Sequence, residues 1–265
     1  MIRIFLFATL LSVIPFLPAH AFDHSHAQWD ALAKKHVVWL SGGNASQADY
    51  KGFQADRQVL KAYLNSVSSV NQADYDGWGK SQRLAFLINA YNAFTVELIL
   101  TEYPNLKSIK DLGSVIRSPW KKKFFIVLGK EHSLDDIEQG MIRAPGSFDE
   151  PRIHMAVNCA SVGCPALRDE AYVADKLDAQ LENAVVRFLS DRNRNRFNPQ
   201  LGRLEVSKIF DWYAKDFAAK AGSVETWLSA YADRLAEDPG QQSAIRQKQA
   251  RLAYLDYDWM LNDKL

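Results

Sequence analysis

Cysteine is scarce in this chain, with two in 265 residues. A disulfide-dense scaffold is excluded, so the fold must rest on a buried apolar core, which a chain of this length can supply. There is no paired CxxC, no glycine-rich phosphate loop, no nucleophile elbow around a serine and no HExxH pattern. Zinc-protease, P-loop and serine-hydrolase chemistry therefore lack their usual carriers, and neither a metal nor a cofactor is expected. A charge excess is missing too. Lys and Arg number 32 against 31 Asp and Glu, a formal net charge of +1, which offers nucleic acid no electrostatic footprint. Nor is the chain poor in apolar residues: it is 48% hydrophobic and 24% charged, with 13 Gly and 9 Pro, which excludes disorder and low complexity.

What is present begins with an address. Arg3 precedes an almost continuous apolar run from Ile4 to Pro18, and Ala19-His20-Ala21 fits a small-x-small cleavage site. Residues 1–21 read as a secretory signal peptide. Pro15 and Pro18 make the run a poor membrane span, and no other segment is expected to reach membrane length. The expectation is a periplasmic or secreted soluble protein, 22–265, without stable membrane insertion after cleavage.

The mature chain reads as α+β: a mostly helical single domain with a small antiparallel sheet. Helical periods cover 26–40, 55–67, 80–103, 174–189, 208–219 and 223–236, with a short helix at 135–142. Phe124 to Leu128 reads as a strand or hairpin, 152–158 as a strand, and 196–206 as a hairpin. His24 and His26 read as exposed residues of the new N-terminus, and Arg192, Arg194 and Arg196 as a solvated loop.

The chemistry concentrates in 152–168, where both cysteines and a histidine lie within 11 positions: His154, Cys159 and Cys164. A thiol attacks as thiolate, and a histidine oriented by a carboxylate can move its proton. Cys159 as nucleophile, His154 as base and Glu138 as orienting carboxylate form one candidate set. On an extended strand, residues five apart face opposite ways, so His154 and Cys159 meet only if the chain turns near Asn158. The other reading is a small-loop disulfide between Cys159 and Cys164. Asn89 and Asn92, three apart on an apolar helix face, either pin a neighbouring loop or line the site as oxyanion donors. Arg143 and Arg152 are candidates for holding a substrate carboxylate.

These motifs together resemble the domain of unknown function 547 family. The run Phe86-Leu-Ile-Asn89-Ala-Tyr91-Asn92, Ile137-Glu138 with Arg143, and His154 to Arg168 carry the likeness. Ser207-Lys208-Ile-Phe210-x-Trp212-Tyr213 and Tyr254-Leu-Asp256-Tyr-Asp258-Trp259 extend it. The resemblance implies that Cys159, more than Cys164, is the thiol the family keeps. Many members carry a histidine where this chain has Gln139, which leaves His154 and His132 as candidate bases.

Three functions are expected on these grounds. The first is a thiol-dependent hydrolase or acyl transferase, loosely like papain and transglutaminase-type enzymes. It would act on a peptide or a small amide- or thiol-containing molecule, with Asn89, Asn92, Arg143, Arg152 and Cys164 around the substrate. The second is a non-enzymatic binding or structural module stapled by a Cys159–Cys164 disulfide, its seven tryptophans serving core or surface. The third is thiol redox work, Cys159 attacking and Cys164 resolving.

Overall fold

The computed structural model describes residues 21–264 apart from Ser41 and Val115. All of the expected leader except Ala21 lies outside the described residues.

The centre is the helix Lys80–Leu100, in which every residue from Leu84 to Val96 is buried. A helix apolar on all sides must be covered on all sides. It is long and apolar enough to cross a membrane, yet it is a core element. The helices Tyr50–Ala55 and Arg57–Ser68, the short helix Leu134–Ile137 and the turn Ala174–Lys176 pack on it. The helix Ala27–His36 adds Trp29, whose ring stacks against Phe53 and Tyr63. His26 is buried at that helix's start, 2.7 Å from the Tyr63 hydroxyl, and His24 packs on Trp78. Neither is the exposed tail residue expected, because Phe22, Trp78 and Phe86 give the segment an apolar seat.

A second apolar cluster collects Phe188, Phe210, Phe217, Trp227 and Leu228. The expected helices 208–219 and 223–236 are each broken, into Ile209–Trp212 with Ala214–Ala221 and Val224–Ser229 with Ala232–Leu235. The fold is a mixed α+β, as expected, but the helix expected over 26–40 ends at His36, and Val37–Trp39 form a strand. Val37–Trp39 pairs with Ser46–Ala48, and Phe125–Val127 with Lys130–His132, both antiparallel. The third sheet is mixed. Arg196–Asn198 runs antiparallel to Arg203–Ser207, and Arg251–Leu255 joins parallel to it. That last strand is not legible in the sequence, because its apolar run is short and borders charged residues.

The expected strand at 152–158 does not exist. Pro151–Met155 is a 3-10 turn, followed by irregular backbone. Proline at its first position presets φ, and the Glu150 side chain accepts from the Arg152 N–H. Ile153 enters the first cluster and Met155 the second, so the turn straddles both cores with His154 between them.

Asn92 shapes the irregular backbone after this turn. Its amide donates to the Ala156 carbonyl (3.0 Å) and accepts from the Asn158 N–H (2.8 Å). Asn89 does the same to Tyr172, at 2.7 and 3.0 Å. Both amides bond loop backbone, which is the loop-pinning reading of the two expected: a buried amide in an apolar helix must find partners, and loop backbone supplies them. Asn92→Ala leaves a buried carbonyl and a buried N–H unpaired, an expected loss of about 2–4 kcal/mol. Urea denaturation measures it against Asn65→Ala, an exposed control expected within about 0.5 kcal/mol of the parent. Equal midpoints for the two variants would refute the clamp.

Candidate functional site

Beyond the Asn92 clamp the chain turns sharply. Ala160 has φ 60°, a left-handed conformation that costs a residue with a Cβ about 1 kcal/mol or more. The Asn158 side chain offsets part of this by accepting from the Ala160 N–H (2.9 Å). The turn brings Cys159 and Cys164 together, sulfurs at bonding distance and Cα atoms 6.2 Å apart. Cys164 is buried, whereas Cys159 is partly exposed.

The C-terminal segment holds this loop from outside. The Gly163 N–H donates to the Asp258 carbonyl and the Val162 N–H to that of Met260, each at 2.8 Å. A Cβ on Gly163 would lie 2.9 Å from the Asp258 carbonyl oxygen and 3.0 Å from the Tyr257 ring, so this close approach requires glycine. Arg194, expected in a solvated loop, instead donates from Nε to the Val162 carbonyl (3.1 Å) and pairs with Asp191. The Tyr257 hydroxyl sits 3.1 Å from the Cys159 sulfur and 3.2 Å from the Cys164 sulfur.

Both cysteines line a cavity of about 240 Å³, together with His154, Glu138, Asp135, Gln139 and six aromatic side chains. His154 and Cys159 thus face one space, which the expected strand would have forbidden. No hydrogen bond joins them.

The partner of His154 is Asp216, not Glu138. His154 Nε2 is 2.8 Å from Asp216 Oδ2. Asp216 also takes two contacts from Arg143, at 2.6 Å from Nε and 2.8 Å from the terminal nitrogen. Burial pushes the Asp216 carboxyl up, but the bonds from Arg143 and His154 outweigh it and hold the group well below the usual carboxylate range. Burial pushes His154 down, so its ring is neutral near neutral pH. A neutral ring facing a carboxylate must carry its proton on Nε2. Nδ1 is then a buried lone pair without a partner among the described residues. Asp216 has no sequence signal: it lies 62 positions from His154, on a helix whose other residues are ordinary.

Glu138 instead accepts from the Tyr213 hydroxyl at 2.6 Å, and the Tyr213 ring stacks on His154 with centroids 3.8 Å apart. Burial, then the Glu138 charge, push the Tyr213 and Tyr91 hydroxyls above the ordinary tyrosine value. The expected helix over 135–142 is Leu134–Ile137 and then a π turn, Glu138–Ile142, closed by the Arg143 N–H on the Glu138 carbonyl (2.9 Å).

Neither arginine is free for a substrate carboxylate. Arg143 is held by Asp216 and Gln139. Arg152 is held by Glu150, Asp178 and Glu182, and does not line the cavity. His132 lines a separate cavity with Lys123 and Lys130, and is not the base beside Cys159. No group of three or more metal-ligating side chains occurs among the described residues.

Residues 75–189 match the family model described as Protein of unknown function, DUF547. No curated protein and no solved structure matches the chain. The matched span holds the long helix, Glu138, His154 and both cysteines. Asp216, Trp212, Tyr213, Tyr257 and Trp259 lie beyond it.

The buried neutral histidine has a consequence for stability. The unfolded chain binds a proton at His154 near pH 6.5, and the fold resists it, so proton uptake favours unfolding as the pH falls below about 6.5. His154→Gln, which keeps a donor for Asp216, is expected to lessen the slope of this part of the stability–pH curve, to which buried His26 also contributes. The further loss below about pH 4, set by the depressed Asp216 carboxyl, persists because Arg143 remains. Urea midpoints from pH 8 to pH 3 decide it, and parallel curves for parent and variant would contradict the assignment.

Proposed function

Through residues 75–189 the chain belongs to the domain of unknown function 547 family, whose name carries no activity, and from the site geometry we propose a thiol-dependent hydrolase or acyl transferase. The observation that carries this reading is a partly exposed Cys159 lining one cavity with a buried histidine that Asp216 orients and whose Nδ1 is unpartnered. The likeness to papain-type enzymes lies in these roles, not in fold.

In this reading the protein is exported, and an oxidising compartment keeps Cys159 and Cys164 bonded. A dithiol reductant supplies two electrons and two protons, yielding two thiols and its own disulfide. His154 Nδ1 then takes the proton of Cys159, and the thiolate attacks a substrate carbonyl. The C–N, C–O or C–S bond to the leaving group breaks, and His154 returns the proton to that group. Water or an amine attacks the acyl-cysteine, giving acid or transferred product and freeing the thiol. The Tyr257 hydroxyl, 3.1 Å from the Cys159 sulfur, donates to the thiolate and lowers its pKa.

A second reading is favoured by the bonded sulfurs themselves. In it, the disulfide is a permanent staple, and the aromatic cavity binds a small molecule without turning it over.

Iodoacetamide labelling against pH, mapped by mass spectrometry, separates the two. After mild reduction, Cys159 is expected to label rapidly below about pH 7, well under the free-thiol pKa of about 8.5. Cys159→Ala abolishes that labelling and Cys164→Ala retains it, while His154→Ala and Tyr257→Phe move the profile to higher pH. Equal labelling of both cysteines, or profiles unmoved by the His154 and Tyr257 changes, would overturn the enzyme reading.

A further inference from the structure

We infer that the cavity recognises an organic ammonium group, so that the ligand or substrate carries an alkylated amine cation. The inference rests on this cavity being the working site, and it names the chemistry of the molecule that enters.

The walls are aromatic and the fixed charge is negative. Trp212 lies against Tyr257 and Trp259, with centroids 4.9 and 5.6 Å away, and Trp120 is 5.6 Å from Trp259. All four line the cavity, and Trp212 is 44% exposed, a large apolar ring left uncovered at the site. Aromatic faces are electron-rich and attract cations. One ring of this set and the neighbouring cavity ring Tyr213 already hold cations of the chain: Lys110 Nζ sits 3.9 Å from the Trp259 centroid, and the Arg143 guanidinium 4.8 Å from that of Tyr213. The faces of Trp120, Trp212 and Tyr257 carry no such partner among the described residues.

Glu138 and Asp135 are the charged residues lining the space, and neither lysine nor arginine lines it. Glu138 is buried and accepts from Tyr213 and Gln139 on one oxygen. A carboxylate has about four acceptor directions, so capacity for a cation remains. His154, being neutral, adds no positive charge. A ligand carboxylate would meet the Glu138 and Asp135 carboxylates, and no lysine or arginine lines the space to hold it, so the substrate acid expected at Arg143 and Arg152 fits poorly. An alkylammonium meets rings and a carboxylate together.

The test is calorimetric titration of the purified full-length protein with (2-hydroxyethyl)trimethylammonium and with its uncharged carbon isostere, 3,3-dimethylbutan-1-ol. Saturable binding of the cation is expected, with the isostere about 10- to 100-fold weaker. Glu138→Gln should weaken the cation by about 10- to 100-fold, and Trp212→Ala by about 3- to 30-fold. Trp212 is exposed, so its variant reports even if Glu138→Gln does not fold. Equal binding of cation and isostere, no saturation by the cation, or unchanged affinity in Trp212→Ala would overturn the inference. Binding needs no reactive thiol and is expected in Cys159→Ser as well. Failure here leaves the labelling of Cys159 intact, and failure of the labelling leaves this binding intact.

Discussion

A single buried amide governs the geometry of the site. Asn92 sits in the middle of a helix that is otherwise apolar and covered on every side. An unpaired amide there would cost several kcal/mol, so its donor and acceptor must be met. They are met by the carbonyl of Ala156 and the N–H of Asn158, two groups of irregular backbone that have no sheet or helix partner. Each side satisfies the other. The result is that the residues immediately before Cys159 hang from the most buried element of the fold, and the Cys159 sulfur inherits the precision of the core.

From that anchor the other restraints converge. The 3-10 turn at Pro151–Met155 places His154 between the two apolar clusters, where Tyr213 stacks on it and Asp216 holds its Nε2. Arg143 fixes Asp216 in turn and keeps its carboxyl ionised. The C-terminal segment, delivered by the parallel strand Arg251–Leu255, lies along the cysteine loop and adds the Tyr257 hydroxyl. The cavity is therefore built by elements from distant parts of the chain. Its chemistry is a half-buried sulfur, a neutral imidazole, one buried carboxylate and a ring of aromatic faces.

Some of this is readable from the chain alone. The long helix, the hairpin after Phe124 and the helical majority follow from apolar periodicity, which is a local property. So does the grouping of His154, Cys159 and Cys164, since they are close in sequence. Asn89 and Asn92 are visible as polar exceptions, and loop pinning is one of their two readings. The strand expected at 152–158 fails because an alternating apolar run is shared by a strand and by a chain threading between two cores. Local pattern does not separate the two. Arg143, Arg152 and Arg194 depart from expectation because an arginine's role depends on which carboxylate or carbonyl folding brings to it.

The sequence by itself determined the class of fold, the reliance on a core rather than on disulfides, and the residues from which any thiol chemistry must be drawn. It did so because composition, periodicity and close spacing are properties of short stretches of chain. Only the tertiary structure decided that His154 and Cys159 share a cavity, that Asp216 rather than Glu138 orients the histidine, and that aromatic rings wall the space. Apart from His154 and Cys159, those pairings join residues far apart in the chain, 62 positions for His154 and Asp216 and 139 for Trp120 and Trp259. They arise where buried polar groups must find partners in three dimensions, a constraint that spacing along the chain does not record.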